Sequence, residues 1–412
     1  MNEGRTIFSQ LISFLPDREF RRCVERYRGD SRLRGLSCWE QFLAMAFAQL
    51  TYRESPRDIE ACLHALGPKR YHLGFRRGIA RSTLADANET HDWHIFADFA
   101  QHLIGIARPL YAGDALGVDL DASLYALDST TIDLCLALFP WAGFRSHKAA
   151  VKMHTLLDLH GNIPAFIHVS EGKMHDIHAL DRIDIEPGAY YAMDRAYLDF
   201  ERLYRFTLSS AFFVTRTKKN VLHQRRYSHP VDRSTGVTSD QTVILASFES
   251  ASSYPDPLRR VSYRDPATGK RLKFLTNNFT LPALTIAQIH KQRWQVELFF
   301  KWIKQHLRIK AFFGTSENAV KTQIWIAVSV YVLVAIVRKR LKLDSTLHQI
   351  LQILSVIPFE KTPVLQALQS YNPQPDLDEF PNQMILFDLY PDSSVYWYII
   401  RGPVNAKLTT IS

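Results

Sequence analysis

The sequence predicts a mixed α/β protein with helical ends, and three observations carry that reading. Residues 1 to about 110 repeat apolar side chains at three- and four-residue intervals, the helical period. From about Ser123, short apolar runs alternate with helical stretches in the order strand, hairpin strands, helix, strand, helix, strand. Residues 216 to about 280 then break into short β-rich runs separated by turn clusters such as Pro266-Ala267-Thr268-Gly269, an insertion before helical text resumes.

In the first region, Cys38–Tyr52, Arg57–Leu66 and Trp93–Leu110 are the expected helices. Ser82 is a candidate N-cap, with Arg76, Arg77 and Arg81 just before it. A short helix entered from a basic turn has the layout of a DNA-reading helix; a surface helical hairpin with incidental arginines is the slightly preferred reading of this segment alone. In the second region Leu124–Leu127 is a strand running into Asp128. Ala150–Leu159 and Ile163–Val169 flank the hairpin signal His160-Gly161-Asn162. His175–Ile183 reads as a helix with Asp176 in its first turn; the alternative, a metal pair at His175 and His178, is the weaker reading. Ala189–Met193 is a strand ending in Asp194, Tyr197–Leu208 a helix, and Ala211–Thr215 a strand. Within the insertion, Thr242–Phe248, Arg259–Tyr263 and Arg271–Leu275 are strands. Residues 319–356 are helical, and 372–392, rich in Pro and Asp, suit a loose tail.

With 412 residues and 46% hydrophobic content the chain can bury a large core, which excludes a disordered class. A net charge of +9 suggests a polyanionic partner, nucleic acid before anionic membrane. Cys23, Cys38, Cys62 and Cys135 form no CxxC pair and read as reduced, structural thiols of a cytosolic protein. The N-terminus lacks a signal-peptide pattern. The run Ile324 to Val337 is shorter than the roughly 20 residues a spanning helix needs. It reads as a core helix with Arg338, Lys339 and Arg340 in its last turn. No GxxxxGK phosphate loop is present, and no G-x-S-x-G elbow surrounds Ser129.

The stretch Ile286 to Lys310 reads as one helix without Gly or Pro. At about 100° per residue, His290, Arg293, Glu297, Lys301, Lys304 and Arg308 share an arc of roughly 80°. Apolar residues border this stripe on both sides. One carboxylate among permanent cations suits a site that takes a polyanion together with a metal ion. An ordinary solvated face with ion pairs at i,i+4 has the same spacing. Asp128 and Asp194 each end a short apolar strand, a position from which active-site residues of α/β sheets project, although turn and cap aspartates sit there too. Two such aspartates and Glu297 can together hold two Mg²⁺ ions, hard cations that prefer oxygen. A pair of metals about 3.5–4 Å apart activates an attacking oxygen and stabilises a leaving one at phosphorus.

On these residues the chain resembles the DDE transposases of the insertion-sequence-four family, the bacterial group that includes Tn-five-type enzymes. The family signature Y-x2-R-x3-E-x6-K is matched at Arg293, Glu297 and Lys304, with His290 in place of Tyr. Leu127-Asp128-Ser129-Thr130 matches the first acidic motif, and Asp194-Arg195-Ala196-Tyr197 the second, D-x-x-Y. The runs FLTNNF (Phe274–Phe279) and RWQVELFFKWIKQHL (Arg293–Leu307) are similar to family text. The resemblance covers residues 1 to about 390.

It implies a ribonuclease-H-like core, a mixed sheet flanked by helices and interrupted by a β-rich insertion. In this chain the expected divisions are a helical DNA-end-binding domain at 1–115 and the core at 116–310, with the insertion at 216–282. A C-terminal helical region at 311–370 and a loose tail at 371–412 would follow. The implied activity is binding of terminal inverted repeats of a mobile element, metal-dependent strand cleavage and strand transfer. Asp128, Asp194 and Glu297 would be the catalytic acids and ligands of Mg²⁺, with Mn²⁺ able to substitute. His290, Arg293, Lys301, Lys304, Arg216, Lys218, Lys219 and Tyr197 would contact DNA. Partners would be double-stranded transposon ends and target DNA, bound by a homodimer, with no membrane; the protein would be cytoplasmic and, on DNA, nucleoid-associated. The family stacks an aromatic on a flipped base; the insertion has no Trp, and that role is left unassigned. A DNA-binding derivative without catalysis, and a nuclease without strand transfer, are the competing readings.

Overall fold

A computed structural model describes residues 4–31, 35–145, 148–306 and 312–369. The expected tail at 371–412 and the end of the cationic stripe, including Arg308, lie outside the described residues.

The helical N-terminal region forms α1 (Ile7–Ile12), α2 (Asp17–Arg26), α3 (Cys38–Leu50), α4 (Pro56–Ala65), α5 (Arg81–Thr90) and α6 (Trp93–Tyr111). A capping box starts α3: the Ser37 hydroxyl accepts from the Glu40 N–H, and the Glu40 carboxylate accepts from the Ser37 N–H. Ser82 is not the N-cap of α5. The cap position is two residues earlier, at Ala80, and the helix has no side-chain cap.

Ten strands among the described residues form a single sheet: β1 (Leu124–Leu134), β2 (Gly143–Arg145), β3 (Lys148–Asp158), β4 (Ile163–Glu171), β5 (Tyr190–Met193), β6 (Phe212–Arg216), β7 (His223–His229), β8 (Val237–Leu245), β9 (Leu258–Arg264) and β10 (Arg271–Thr276). Their order is β2-β3-β1-β5-β6-β10-β9-β8-β7, with β4 also on β3. β1, β5 and β6 run parallel; the other pairings are antiparallel. The inserted strands therefore do not form a separate β unit. They extend the core sheet through the β6–β10 pairing, Phe274 opposite Arg216.

The β3–β4 hairpin turns where expected. Gly161 has φ +72°, and a Cβ there would meet the Tyr111 ring at 2.0 Å, so only glycine fits against α6. The segment expected as the helix His175–Ile183 is a 3₁₀ turn over Asp176–Arg182.

Helices α7 (Phe200–Leu208), α8 (Phe248–Ser253), α9 (Ala283–Gln292), α10 (Trp294–His306), α11 (Glu317–Arg340), α12 (Leu347–Val356) and α13 (Val364–Gln369) complete the fold. Of these, α11 is 24 residues long, longer than its apolar run, and has the length and hydropathy of a membrane span. It is apolar on all sides because it is enclosed: from Thr322 to Val337 every residue is buried. It packs on α6 and α3.

The strands sort their side chains by alternation. Leu124 and Ala126 of β1, with Tyr190 and Ala192 of β5, enter the large core shared with α6, α9 and α11. Tyr125, Leu127, Tyr191 and Met193 enter a second core with Leu203 and Phe206 of α7.

A three-carboxylate candidate active site

That alternation places the first two acids. β1 and β5 pair in parallel with Ala126 opposite Ala192 and Leu127 opposite Met193. Asp128 and Asp194 are the next residues on each strand. Each shares the parity of the residues that face α9 and α10, so both carboxylates emerge side by side on the same face. β5 stops at Met193, and the Asp194 carboxylate accepts from the Ala196 N–H at 3.0 Å, starting a 3₁₀ turn.

The third acid comes from α10 through an arginine. Arg293 donates from Nη1 to Asp128 Oδ2 at 2.5 Å and from Nη2 to Glu297 Oε1 at 2.7 Å. Burial works against the Arg293 charge, and Asp128, Glu297 and Asp194 more than offset it. Burial is also the largest influence on Asp128, whose carboxyl is pushed up to about 7. Arg293 and the Ser129 N–H oppose that shift, and the neighbouring charges of Asp194 and Glu297 add to it. Lys304 donates to the Thr131 carbonyl at 2.7 Å and so ties α10 to β1 beyond Asp128. Lys301, one turn earlier, is half-buried.

The expected single helix is two. α9 ends at Gln292 and α10 begins at Trp294, with Arg293 as a turn between them; Arg293 N–H bonds His290 O, and Val296 N–H bonds Arg293 O, both at i,i−3. This changes the position of His290, expected on the cationic face. It lies 8% exposed between α9 and the sheet with its ring 4.8 Å from Phe274, and burial holds it neutral. Tyr197, expected at DNA, is likewise enclosed, with 0% exposure in the second core. Burial, then the charges of Asp128 and Asp176, push its phenol well up. His290 packs on the α9 side of the sheet against Phe274, and Tyr197 packs in the second core on the other side. Periodicity gives a side chain's direction but not the depth of what covers it.

Asp176 was not singled out as functional by sequence. It accepts from Ser129 Oγ at 2.6 Å and lies 3.3 Å from Lys152 Nζ, adding a carboxylate beside the stretch of β1 that carries Asp128. Arg216, Lys218 and Lys219 line a pocket of about 280 Å³ together with Arg195, Arg260, Arg271 and Lys273. It adjoins the acids: Arg195 follows Asp194, and Arg216 feels the charges of Asp194 and Arg293. Arg260 Nε is buried with no partner. Arg271 and Lys273 had a legible signal, cations two apart on a strand and hence on one face.

All-oxygen donors suit a hard divalent cation. The three carboxylates do not all come within 4.8 Å of one another; the guanidinium lies between two of them and fills the place of a cation. A site held by that stand-in charge fits a divalent metal.

Comparison with known proteins gives the same direction. Residues 119–333 match the family described as transposase DDE domain, and residues 3–76 match a domain of unknown function. A protein of Sinorhizobium fredii provisionally named a transposase is 37% identical over 219 residues, 52% of this chain and 61% of that protein. One of Geobacillus stearothermophilus, provisionally named the transposase of insertion sequence element IS5377, is 35% identical over 238 residues, 57% of this chain and 61% of that protein. One of Synechocystis, provisionally named for element IS4SA, is 24% identical over 58% of this chain and 68% of that protein. The match thus spans about three-fifths of the first two relatives. With its transposase domain covering more than half of its length, the chain belongs to the DDE transposases.

Proposed function

We propose that this chain is the transposase of an insertion sequence of the insertion-sequence-four group. It binds the terminal inverted repeats of its element, cleaves at the ends and joins the freed 3′-OH to target DNA. The observation that carries this reading is the register of β1 and β5. It sets Asp128 beside Asp194 on the face where Arg293 binds Asp128 and Glu297.

Asp128, Asp194 and Glu297 would hold Mg²⁺, or Mn²⁺ in its place. Bound divalent ions supply activation of the attacking oxygen and stabilisation of the leaving oxygen at phosphorus. Arg293 keeps the carboxylates gathered and presents its remaining charge to a phosphate. The cationic pocket beside Asp194 takes the DNA backbone as it leaves the acids, with Lys218 and Lys219 at its rim. Lys301 extends that cationic surface along α10. His290 and Tyr197 act as packing supports in this scheme, not as DNA contacts.

In this scheme residues 1–115 bind the transposon end. Residues 116–310 are the catalytic core with the insertion at 216–282, and 311–370 form the helical C-terminal region. The active form is a homodimer on double-stranded DNA, in the cytoplasm and at the nucleoid.

The test is incubation of the purified chain with Mg²⁺, DNA carrying the repeats that flank its own reading frame, and a target plasmid. Cleavage at the repeat boundary followed by joined product is the expected result. End binding without cleavage would make it a DNA-binding derivative, and cleavage without joining a nuclease; either outcome overturns the proposal.

A further inference from the structure

A second cluster of metal-ligating atoms lies in the helical N-terminal region, away from the acids. Asp30, Cys38 and His91 each bring a ligand atom within 4.8 Å of the other two. They come from three places in the chain: the loop after α2, the first residue of α3, and the corner between α5 and α6. Cys38 is 0% exposed and His91 9%, while Asp30 opens to solvent.

The hydrogen bonds around His91 decide which nitrogen carries the proton. Gln41 donates from Nε2 to Asn88 Oδ1 at 2.7 Å, so its Oε1 is the acceptor for His91 Nδ1, 2.6 Å away. The ring proton therefore sits on Nδ1, and Nε2 carries the lone pair. An imidazole whose other N–H is held by an oxygen acceptor is the usual arrangement of a metal-binding histidine. Asp30 Oδ1 accepts the Cys38 N–H at 2.9 Å, and the Asp30 carboxylate also meets the Cys38 thiol. Gly29 leaves the space: a Cβ there would press on Cys38 Sγ at 2.6 Å.

We propose that Asp30, Cys38 and His91 form a binding site for a zinc-class divalent ion, separate from the carboxylate centre and structural in role. Thiolate, imidazole and carboxylate are the donors such ions take. Bonds of about 2.0–2.3 Å put tetrahedral ligand atoms roughly 3.3–3.8 Å apart, so a small inward movement of Asp30 closes the set. As the metal–sulfur bond forms, the Cys38 S–H bond breaks and its proton goes to solvent. Thiolate and carboxylate then balance the ion's two charges, and water from the Asp30 side takes the fourth position. Bound there, the ion would pin the α2–α3 loop to the α5–α6 corner. The His91 and Asn88 carbonyls both accept from Asn318 of α11, so the clamp also reaches the helix that runs through the core.

The test uses the full chain, stripped of metal and kept in excess Mg²⁺ to saturate oxygen-only sites. Addition of Zn²⁺ should leave one tightly held zinc per chain after dialysis and raise the melting temperature. Co²⁺ in its place should give thiolate-to-cobalt charge-transfer absorption and tetrahedral d–d bands. Asp30→Asn retains an oxygen to accept the Cys38 N–H and should fold normally, yet bind zinc at least tenfold more weakly. Cys38→Ser should abolish the charge-transfer band. A wild-type chain that retains no zinc, a band that survives in Cys38→Ser and so belongs to another thiol, or unchanged zinc affinity in Asp30→Asn would each overturn the proposal. The cluster would then be a hydrogen-bonded helix start.

Discussion

Arg293 Nη1 lies 2.5 Å from Asp128 Oδ2 although 165 residues separate them, and the same guanidinium reaches Glu297. A planar fork that serves two carboxylates gives both charge and geometry. Arg293→Ala would leave Asp128, Asp194 and Glu297 facing one another without a counter-ion, at a cost of about 3 kcal/mol in chelator. Added Mg²⁺ should then raise the melting temperature of the variant more than that of the wild type. An equal rise in both would show that Arg293 does not act as a stand-in cation.

The pocket beside Asp194 should act through charge and not through sequence. Arg271→Ala with Lys273→Ala is expected to weaken binding to specific and random duplexes alike, and to reduce the slope of log K against log salt by about 2. A loss confined to the specific sequence would assign these residues to base reading instead.

The inserted strands are locked to the start of α9 by a buried pair. Arg259 donates from Nε and Nη2 to both oxygens of Asp240, at 2.9 and 2.8 Å, and from Nη1 to the carbonyls of Asn278 and Leu281. Asp240→Ala leaves that arginine buried and uncompensated and should cost about 3–5 kcal/mol in denaturant unfolding. A loss below about 0.5 kcal/mol would mean that the pair does not anchor the insertion.

Acid should destabilise the fold through His154. Burial holds this ring down to about 4, aided by Lys152, His168 and Arg182 and opposed by Asp176. The unfolded chain binds the proton near 6.5, so the stability gained from keeping the ring neutral is complete above that pH and is lost as pH falls towards 4. The contribution is at most about 3 kcal/mol. His154→Gln should flatten the fall in stability between pH 7 and 4; an unchanged slope would put the acid sensitivity elsewhere.

What the sequence disclosed depended on how local the cause was. Asp128 and Asp194 were legible because each follows a short apolar strand, and Glu297 because Arg293 and Lys304 flank it at fixed intervals. The α/β order, the His160-Gly161-Asn162 hairpin and the buried character of α11 were legible in the same local way. Strand β7, HQRRYSH, was not: it is an exposed edge strand, and no apolar alternation marks it. The union of the insertion with the core sheet rests on β6 meeting β10, a pairing between segments some 60 residues apart that leaves no trace in either alone. The burial of His290 and Tyr197 was not legible: period encodes the direction of His290 and a motif marks Tyr197, whereas cover is supplied by distant chain.

The central claim is that Asp128, Asp194 and Glu297 are joint metal ligands for DNA cleavage, and thiol substitution tests it most directly. Asp128→Cys, Asp194→Cys and Glu297→Cys should each be inactive on transposon-end DNA in Mg²⁺, which binds sulfur poorly, and recover cleavage in Mn²⁺, which tolerates it. Folded variants that cleave normally in Mg²⁺, or that stay inactive in both metals while wild type is active in both, would contradict shared ligation by these three acids.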